Sequence, residues 1–277
     1  MAFGVSVPRG RPMPEGDVLH SHALRLERVF AGRRLTECES HRVRLSELTG
    51  HEVRAVRAEG KNLLIEFDDG RVLRTHLRMH GRIRVVPRAH PAAAWRGPSV
   101  VWLLSTEQAT ALCLDAPTVE LLRPSELRAH PVLAALGPDV LAPELALAEI
   151  VARLRADPER ELGSALLDQT LLSGIGNIYK SESLFLARLS PFAPVRAFPD
   201  AELERVVKKA RELMRRNVGG GRRTTPRGRI GPAYWVYERA GEACLRCDAP
   251  IRMQRQEPLS RSTYYCPGCQ PAPEPPP

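Results

Sequence analysis

Nowhere in this chain of 277 residues is there a run of about 18 apolar residues, so no membrane-crossing helix is expected. The first residues, MAFGVSVPRGRP, also lack the apolar stretch of a secretory signal. The expectation is a cytoplasmic protein with no membrane partner. No internal repeat is found. Cysteine is scarce, with six residues, of which Cys38 and Cys113 stand alone and read as small buried side chains. Acidic residues are outnumbered: 41 Lys and Arg stand against 32 Asp and Glu, for a net charge of +9 and a pI near 9.7. That balance favours a polyanionic partner, with a merely solvated basic surface as the alternative. A hydrophobic content of 43% is enough to build a sizeable core.

The expected organisation is α+β and multidomain. Residues 1–12 and 271–277, rich in Gly, Pro and Arg or in Pro alone, read as a disordered extension and a disordered tail. Leu19, Ala23, Leu26 and Phe30 recur at helical spacing, which predicts a helix over Glu15–Ala31 capped by Gly32. Alternation in Leu63–Phe67, a turn at Asp69-Gly70 and a return over Val72–Leu77 predict a hairpin. Further strands are expected over Arg82–Val86, Val100–Leu104 and Thr110–Leu114. Residues 13–123 therefore read as a β-sandwich with one helix at its start. Residues 124–239 read as helical, over Leu145–Leu154, Leu162–Leu172, Ile178–Ala187 and Ala201–Asn217. The basic glycine string Gly219-Gly220-Gly221-Arg222-Arg223 is either a lid or a linker.

Residues 240–270 hold Cys244-x2-Cys247 and Cys266-x2-Cys269, separated by 18 residues. That is the two-knuckle spacing of a four-thiolate zinc site; disulfides are the alternative, disfavoured in a cytosolic chain. Four protein ligands make the site closed, so one structural Zn2+ is expected. Arg261, at the tip of the intervening hairpin and flanked by hydroxyls, suits a phosphate contact.

The turn Ser173-Gly174-Ile175-Gly176-Asn177 joins two helices. Its glycines permit a sharp turn and close approach of a phosphate, and Asn177 can cap the second helix or offer its amide to a phosphate. An ordinary helical hairpin is the plainer reading.

Met13-Pro14-Glu15-Gly16-Asp17 carries the reactive possibility. With Met13 as the start and then removed, Pro14 is a terminal secondary amine, whose pKa near 8 leaves more of it neutral than a lysine at ~10.4. Attack on a sugar C1′ gives an iminium that acidifies the C2′–H and promotes β-elimination. Glu15 stands ready to protonate the sugar ring oxygen. Taken alone, the segment reads more simply as proline and acidic residues opening a helix.

Together, Pro14-Glu15-Gly16, Gly60-Lys61-Asn62-Leu63, Thr75-His76-Leu77-Arg78-Met79-His80-Gly81, Leu136-Gly137-Pro138-Asp139, Gly174–Glu182 and Ser260–Cys266 resemble the formamidopyrimidine-DNA glycosylase / endonuclease VIII family. The motifs run in the family's order over nearly the whole chain. The resemblance implies a β-sandwich domain, a helix–two-turn–helix domain and a zinc finger, with damaged double- or single-stranded DNA in the cleft and a monomeric protein. It implies catalytic roles for Pro14 (Schiff-base nucleophile), Glu15 (proton donor), Lys61 (β-elimination and phosphate) and Arg261 (phosphate and δ-elimination). It implies DNA contacts by Asn177, Met79, His76 and Lys180, with Met79 filling the gap left by an extruded base. A solvated lysine is the plainer reading of Lys61, and a core side chain that of Met79.

Two departures from the family pattern bear on function. Twelve residues precede Met13, and with them attached Pro14 has no free amine; a start at Met13, or removal of the extension, is expected. The stretch Leu114–Glu120 lacks the Arg and Phe of the loop found in 8-oxoguanine-specific members. The expected activity is therefore a bifunctional DNA glycosylase and abasic-site lyase of base excision repair, favouring oxidised pyrimidines. A member acting on 8-oxoguanine and formamidopyrimidines, or on abasic sites only, is one alternative; a non-catalytic zinc-ribbon DNA-binding protein is the other.

Overall fold

The computed structural model describes residues 14–226, 231–258 and 260–272. The expected extension 1–12 and residues 273–277 of the expected tail lie outside the described residues, as do residues 227–230 next to the glycine string.

The described chain opens with α1 (Gly16–Phe30), followed by β1 (Arg33–Arg34), β2 (Glu37–Ser40), β3 (Glu52–Glu59), β4 (Asn62–Phe67), β5 (Val72–His76), β6 (Arg82–Pro87), β7 (Val100–Ser105), β8 (Ala109–Leu114) and β9 (Thr118–Leu122). Two antiparallel sheets form, in the orders β1-β3-β4-β5-β9 and β2-β7-β8-β6. Their facing side chains, among them Val53, Leu63, Phe67, Leu73, Trp102, Leu104 and Cys113, share one core. Inside it, Trp102 Nε1 donates to Thr75 Oγ1 at 3.0 Å, a bond from one sheet to the other that satisfies both groups. Leu19, Ala23, Leu26 and Phe30 of α1 are buried with this core, and α1 lies against β3 and β4.

The sequence reading falls short at the sheet edges. β1, β2, β3 and β9 have no counterpart in it, because these segments are short or carry charged residues such as Arg54, Arg57 and Glu120 that mask a period of two. In β4, Leu63, Leu64 and Ile65 are all buried, so that strand is covered on both faces.

Beyond β9 come α2 (Pro124–Arg128), α3 (Pro131–Ala134), α4 (Leu147–Arg155), α5 (Leu162–Ala165), α6 (Asn177–Ala187) and α7 (Asp200–Asn217). The short α2 and α3, each opened by proline, are absent from the sequence reading. The helix expected over Leu162–Leu172 stops at Ala165. Downstream, Asp168 Oδ1 takes the Thr170 N–H at 2.9 Å and the Thr170 hydroxyl at 2.7 Å, while Gln169 Nε2 donates to Leu167 O and Ile175 O. Side chains that bond the local backbone in this way compete with helix propagation. A second core, including Ile150, Leu162, Tyr179, Leu184, Leu203, Val206 and Leu213, unites these helices.

The hairpin β10 (Arg252–Gln256) and β11 (Arg261–Tyr265) docks beside α6 through a small cluster of Phe185, Val236, Cys244, Ile251 and Cys266. Among the described residues no helix is long and apolar enough to cross a membrane.

Candidate active site

The four cysteines converge. Sγ separations are 3.9 Å for Cys244–Cys269, 3.4 Å for Cys247–Cys266 and 3.5 Å for Cys247–Cys269. A tetrahedron of Zn–S bonds of about 2.3 Å has edges of about 3.8 Å, so the set fits one zinc ion and is too open for disulfides. Zinc with four thiolates organises the hairpin and leaves no position for chemistry. Arg246, inside the first knuckle, stacks over Phe185 at 4.8 Å and Trp235 at 5.1 Å, binding the module to the helical domain.

Pro14 stands half-buried immediately before α1. Glu15 is 1% exposed and does not serve its own helix. Its carboxylate accepts the N–H groups of Gly176 (2.9 Å), Ile178 (2.8 Å) and Tyr179 (3.4 Å), at the amino end of α6. Those donors lack partners within their own helix, and the helix dipole adds positive potential there. Burial nevertheless pushes the Glu15 carboxyl above the usual carboxylate range, against the opposing pull of Arg223, Lys61 and the Ile178 N–H. Gly176 is required for this contact, since a Cβ there would collide with the Glu15 carboxyl. Glycine thus admits a carboxylate of the same chain, and α6 is capped by Glu15 rather than by Asn177.

Lys61 is delivered by the turn between β3 and β4. Gly60 (φ +57) packs against Ser173, and its N–H bonds Asp139 Oδ2 at 2.8 Å. Asp139 also takes the Leu141 N–H (2.7 Å) and pairs with His20 of α1 (3.0 Å), so one carboxylate joins the sandwich, α1 and the helical domain. Asn62 is buried and accepts from Arg74 Nε at 3.0 Å, which stiffens the same turn. Burial lowers the Lys61 ammonium to about 8, Arg261 adding to the effect and Glu15 opposing it. Arg261 stands at the start of β11. It also lines a cleft of about 350 Å³ with Arg160, Asp168, Gln169 and Gln256.

The four expected DNA contacts separate. Met79 is 55% exposed in the turn from β5 to β6, which rules out a core role. Its turn is held by the Gly81 N–H on Leu77 O (2.9 Å) and by Arg78 at φ +50. His76 is partly buried, its Nδ1 accepts the Arg78 N–H, and burial with Arg78, Arg74 and Lys61 nearby lowers it to about 4. Asn177 Oδ1 and Ser173 Oγ are the two buried side-chain polar atoms without a hydrogen-bond partner among the described residues, and both belong to the glycine turn. Lys180 is a correction. It is 0% exposed, donates Nζ to Thr263 Oγ1 (2.6 Å) and Ser262 O (3.4 Å), and leaves no surface for a phosphate. It is a strut between α6 and the hairpin.

Residues 115–117 make a three-residue connection from β8 to β9, tied down by Arg82 on Asp115. The glycine string is likewise tethered on its far side. Arg223 makes two bonds of 2.9 Å to Asp17, and Thr225 N bonds Ala233 O at 2.9 Å. Buried Glu182 of α6 accepts from the Thr225 hydroxyl and the N–H groups of Trp235, Val236 and Tyr237. Asp17, Asp139, Tyr179, Glu182 and Arg223 were not singled out by sequence reasoning. All five stood inside the quoted motifs, but their partners lie on separate elements, so no role could be read for them from the sequence.

Family models match three segments: a formamidopyrimidine-DNA glycosylase N-terminal domain over residues 13–116, the H2TH domain of the same enzymes over 136–227, and a zinc finger found in FPG and IleRS over 241–272. A "Probable endonuclease 8 2" of Streptomyces coelicolor is 39% identical, with 96% of each chain covered. The chain belongs to the formamidopyrimidine-DNA glycosylase / endonuclease 8 family. Another relative of this family member, "DNA-(apurinic or apyrimidinic site) lyase Nei2" of Mycolicibacterium smegmatis, is 36% identical over 94% of this chain and 100% of its own. The crystal structure of the MutM (Fpg) protein of Thermus thermophilus superposes with a TM-score of 0.75 at 30% identity, covering 94% and 99% of the two chains. The Lactococcus lactis enzyme bound to abasic-site DNA has the same fold, with a TM-score of 0.77 at 24% identity, covering 93% and 100%.

Proposed function

We propose that this family member is a bifunctional DNA glycosylase and abasic-site lyase that uses the free amine of Pro14. The observation that carries the reading is the position of Glu15: a buried carboxyl beside Pro14, held on the amino end of α6 and facing Lys61 and Arg223. Burial favours its protonated form, the state needed to donate.

The neutral amine attacks C1′ of the damaged nucleotide, the electron pair of the broken glycosidic bond leaves with the base, and the base takes up the proton that the proline nitrogen sheds. Glu15 protonates the ring oxygen, the sugar opens, and the C1′–N bond becomes an iminium. Lys61, with a pKa of about 8, is partly neutral near pH 8 and takes the C2′ proton. The 3′ phosphate then departs with the C3′–O electrons, and a second elimination beside Arg261 releases the 5′ phosphate. Asn177, His76 and the backbone of the glycine turn hold phosphates, and Met79 enters the stack where the base has left. The partner is damaged duplex or single-stranded DNA, engaged by a monomer on the chromosome in the cytoplasm.

Oxidised pyrimidines are the favoured lesions. The short 115–117 connection carries no Arg or Phe to reach the opposite strand, which supports that branch.

Borohydride trapping on abasic and thymine-glycol duplexes tests the reading. Protein starting at Pro14 is expected to form a covalent adduct, and protein retaining residues 1–13 is not. Binding without an adduct by the shorter form leaves a zinc-ribbon DNA-binding protein. Excision of 8-oxoguanine opposite C faster than thymine glycol overturns the branch.

A further inference from the structure

Two residues from the start of α1, Asp17 is 2% exposed yet ionisable. Its Oδ2 and Oδ1 receive Arg223 Nε and Nη2, each at 2.9 Å, and Oδ2 also accepts the Tyr179 hydroxyl at 2.8 Å. The Arg223 guanidinium lies over the Tyr179 ring, 5.7 Å from its centre. A planar fork, a carboxylate and a phenol thus interlock with little water around them, the geometry in which an arginine is not replaceable by lysine.

The three residues belong to three elements. Asp17 follows Pro14 and Glu15, Tyr179 lies in the first turn of α6 where Glu15 is bound, and Arg223 ends the string Gly219–Gly221. That string has φ values of +104, +101 and +102, which side chains rarely adopt, and no contact hems its Cα positions. What locates the segment is therefore its anchors: Gly219 N–H on Ser21 Oγ (3.0 Å), Arg223 on Asp17, and Thr224 on Asn217. Two of these anchors lie on α1, within about two turns of the reactive residues.

We infer that Asp17 and Arg223 are positioning residues, whose buried ion pair locks the 219–226 segment against the Pro14–Glu15 turn and sets the charge that faces Glu15. The inference rests on the proposed roles of Pro14 and Glu15. The groups that face Glu15 are Arg223, Lys61, Lys180, Asp17, Tyr179, Tyr234 and Tyr237, with the amide donors of α6. Arg223 draws the Glu15 proton off and Asp17 holds it on, the arginine acting more strongly than the aspartate. Removing one member leaves the other uncompensated.

The test is the pH profile of single-turnover base excision in zinc-loaded protein with a free Pro14 amine. Its alkaline limb reports loss of the Glu15 proton. Asp17→Asn is expected to move that limb to lower pH and Arg223→Gln to higher pH, the arginine variant by more, with excision slowed about tenfold. In D17N/R223Q the limb lies between the wild-type position and that of R223Q, because the arginine acts more strongly than the aspartate. Arg223→Lys keeps the charge but not the fork, so the limb stays and the rate falls. Limbs that move together, or not at all, overturn the inference. Where a single variant melts below the assay temperature, the double variant decides, and a limb at or below the wild-type position there counts against it. A wild-type protein that forms no borohydride adduct on abasic DNA defeats the underlying mechanism instead, a result separable from any of these.

Discussion

The carboxyl group of Glu15 occupies the space in which a side chain at Gly176 would have to lie. Acid and glycine are 161 residues apart in the chain, and each is there because of the other.

Gly176→Ala is therefore expected to displace the acid and to strip three N–H groups of α6 of their acceptor. Base excision should fall about a hundredfold, since misplacing a catalytic group by an ångström costs that much. Single-turnover kinetics measure it; an alanine variant with the wild-type rate removes Glu15 from the chemistry.

Glu15→Gln keeps the shape and removes the proton. Excision from thymine-glycol duplexes should be lost, because the ring oxygen is no longer protonated. An existing abasic site is already in part ring-opened, so strand cutting there should persist. A parallel loss on both substrates indicates damage to α6 rather than loss of an acid.

Lys180 couples folding to pH. Burial lowers its ammonium from 10.5 in the unfolded chain to about 7. Between those values the unfolded state binds more protons, so stability rises with pH across that window and the penalty is fully present below it. The slope is at most about 1.4 kcal/mol per pH unit for one proton. In Lys180→Met this contribution is absent. The stability of wild type relative to the variant should increase from pH 7 to 9 in urea titrations; a constant difference contradicts the assignment.

Cys247→Ser, or chelation, should release the structural zinc ion, and metal analysis of the protein before and after checks it. The cluster around Phe185, Val236 and Ile251 is too small to hold the hairpin without metal. Arg261 then loses its position, and DNA affinity and strand cutting should drop at least about tenfold, with the sandwich still folded by circular dichroism. A full-strength apo protein contradicts this.

Met79→Ala removes an exposed side chain, so stability should change by no more than about 0.5 kcal/mol. Excision should slow about tenfold or more, because an extruded base leaves a gap costing a few kcal/mol of stacking. Equal rates place Met79 away from the stack.

The features legible in the sequence are those in which near neighbours suffice. The stripe Leu19–Phe30 drew α1 to within a residue, and the spacing of Cys244, Cys247, Cys266 and Cys269 specified a thiolate cage before any coordinate. The helix over Leu162–Leu172 was misread because Asp168 and Gln169 spend their hydrogen bonds on the local backbone, which apolar periodicity does not register.

Local order along the chain thus determined the helix that follows the reactive proline, the metal ligands, the glycine turn and most strands of the sandwich. Tertiary packing alone decided that Glu15 caps α6, that Lys180 is a strut, and that Arg223 reaches Asp17 across 206 residues. The reason is that burial sets the strength of a charge, and burial exists only once separate elements have closed on one another.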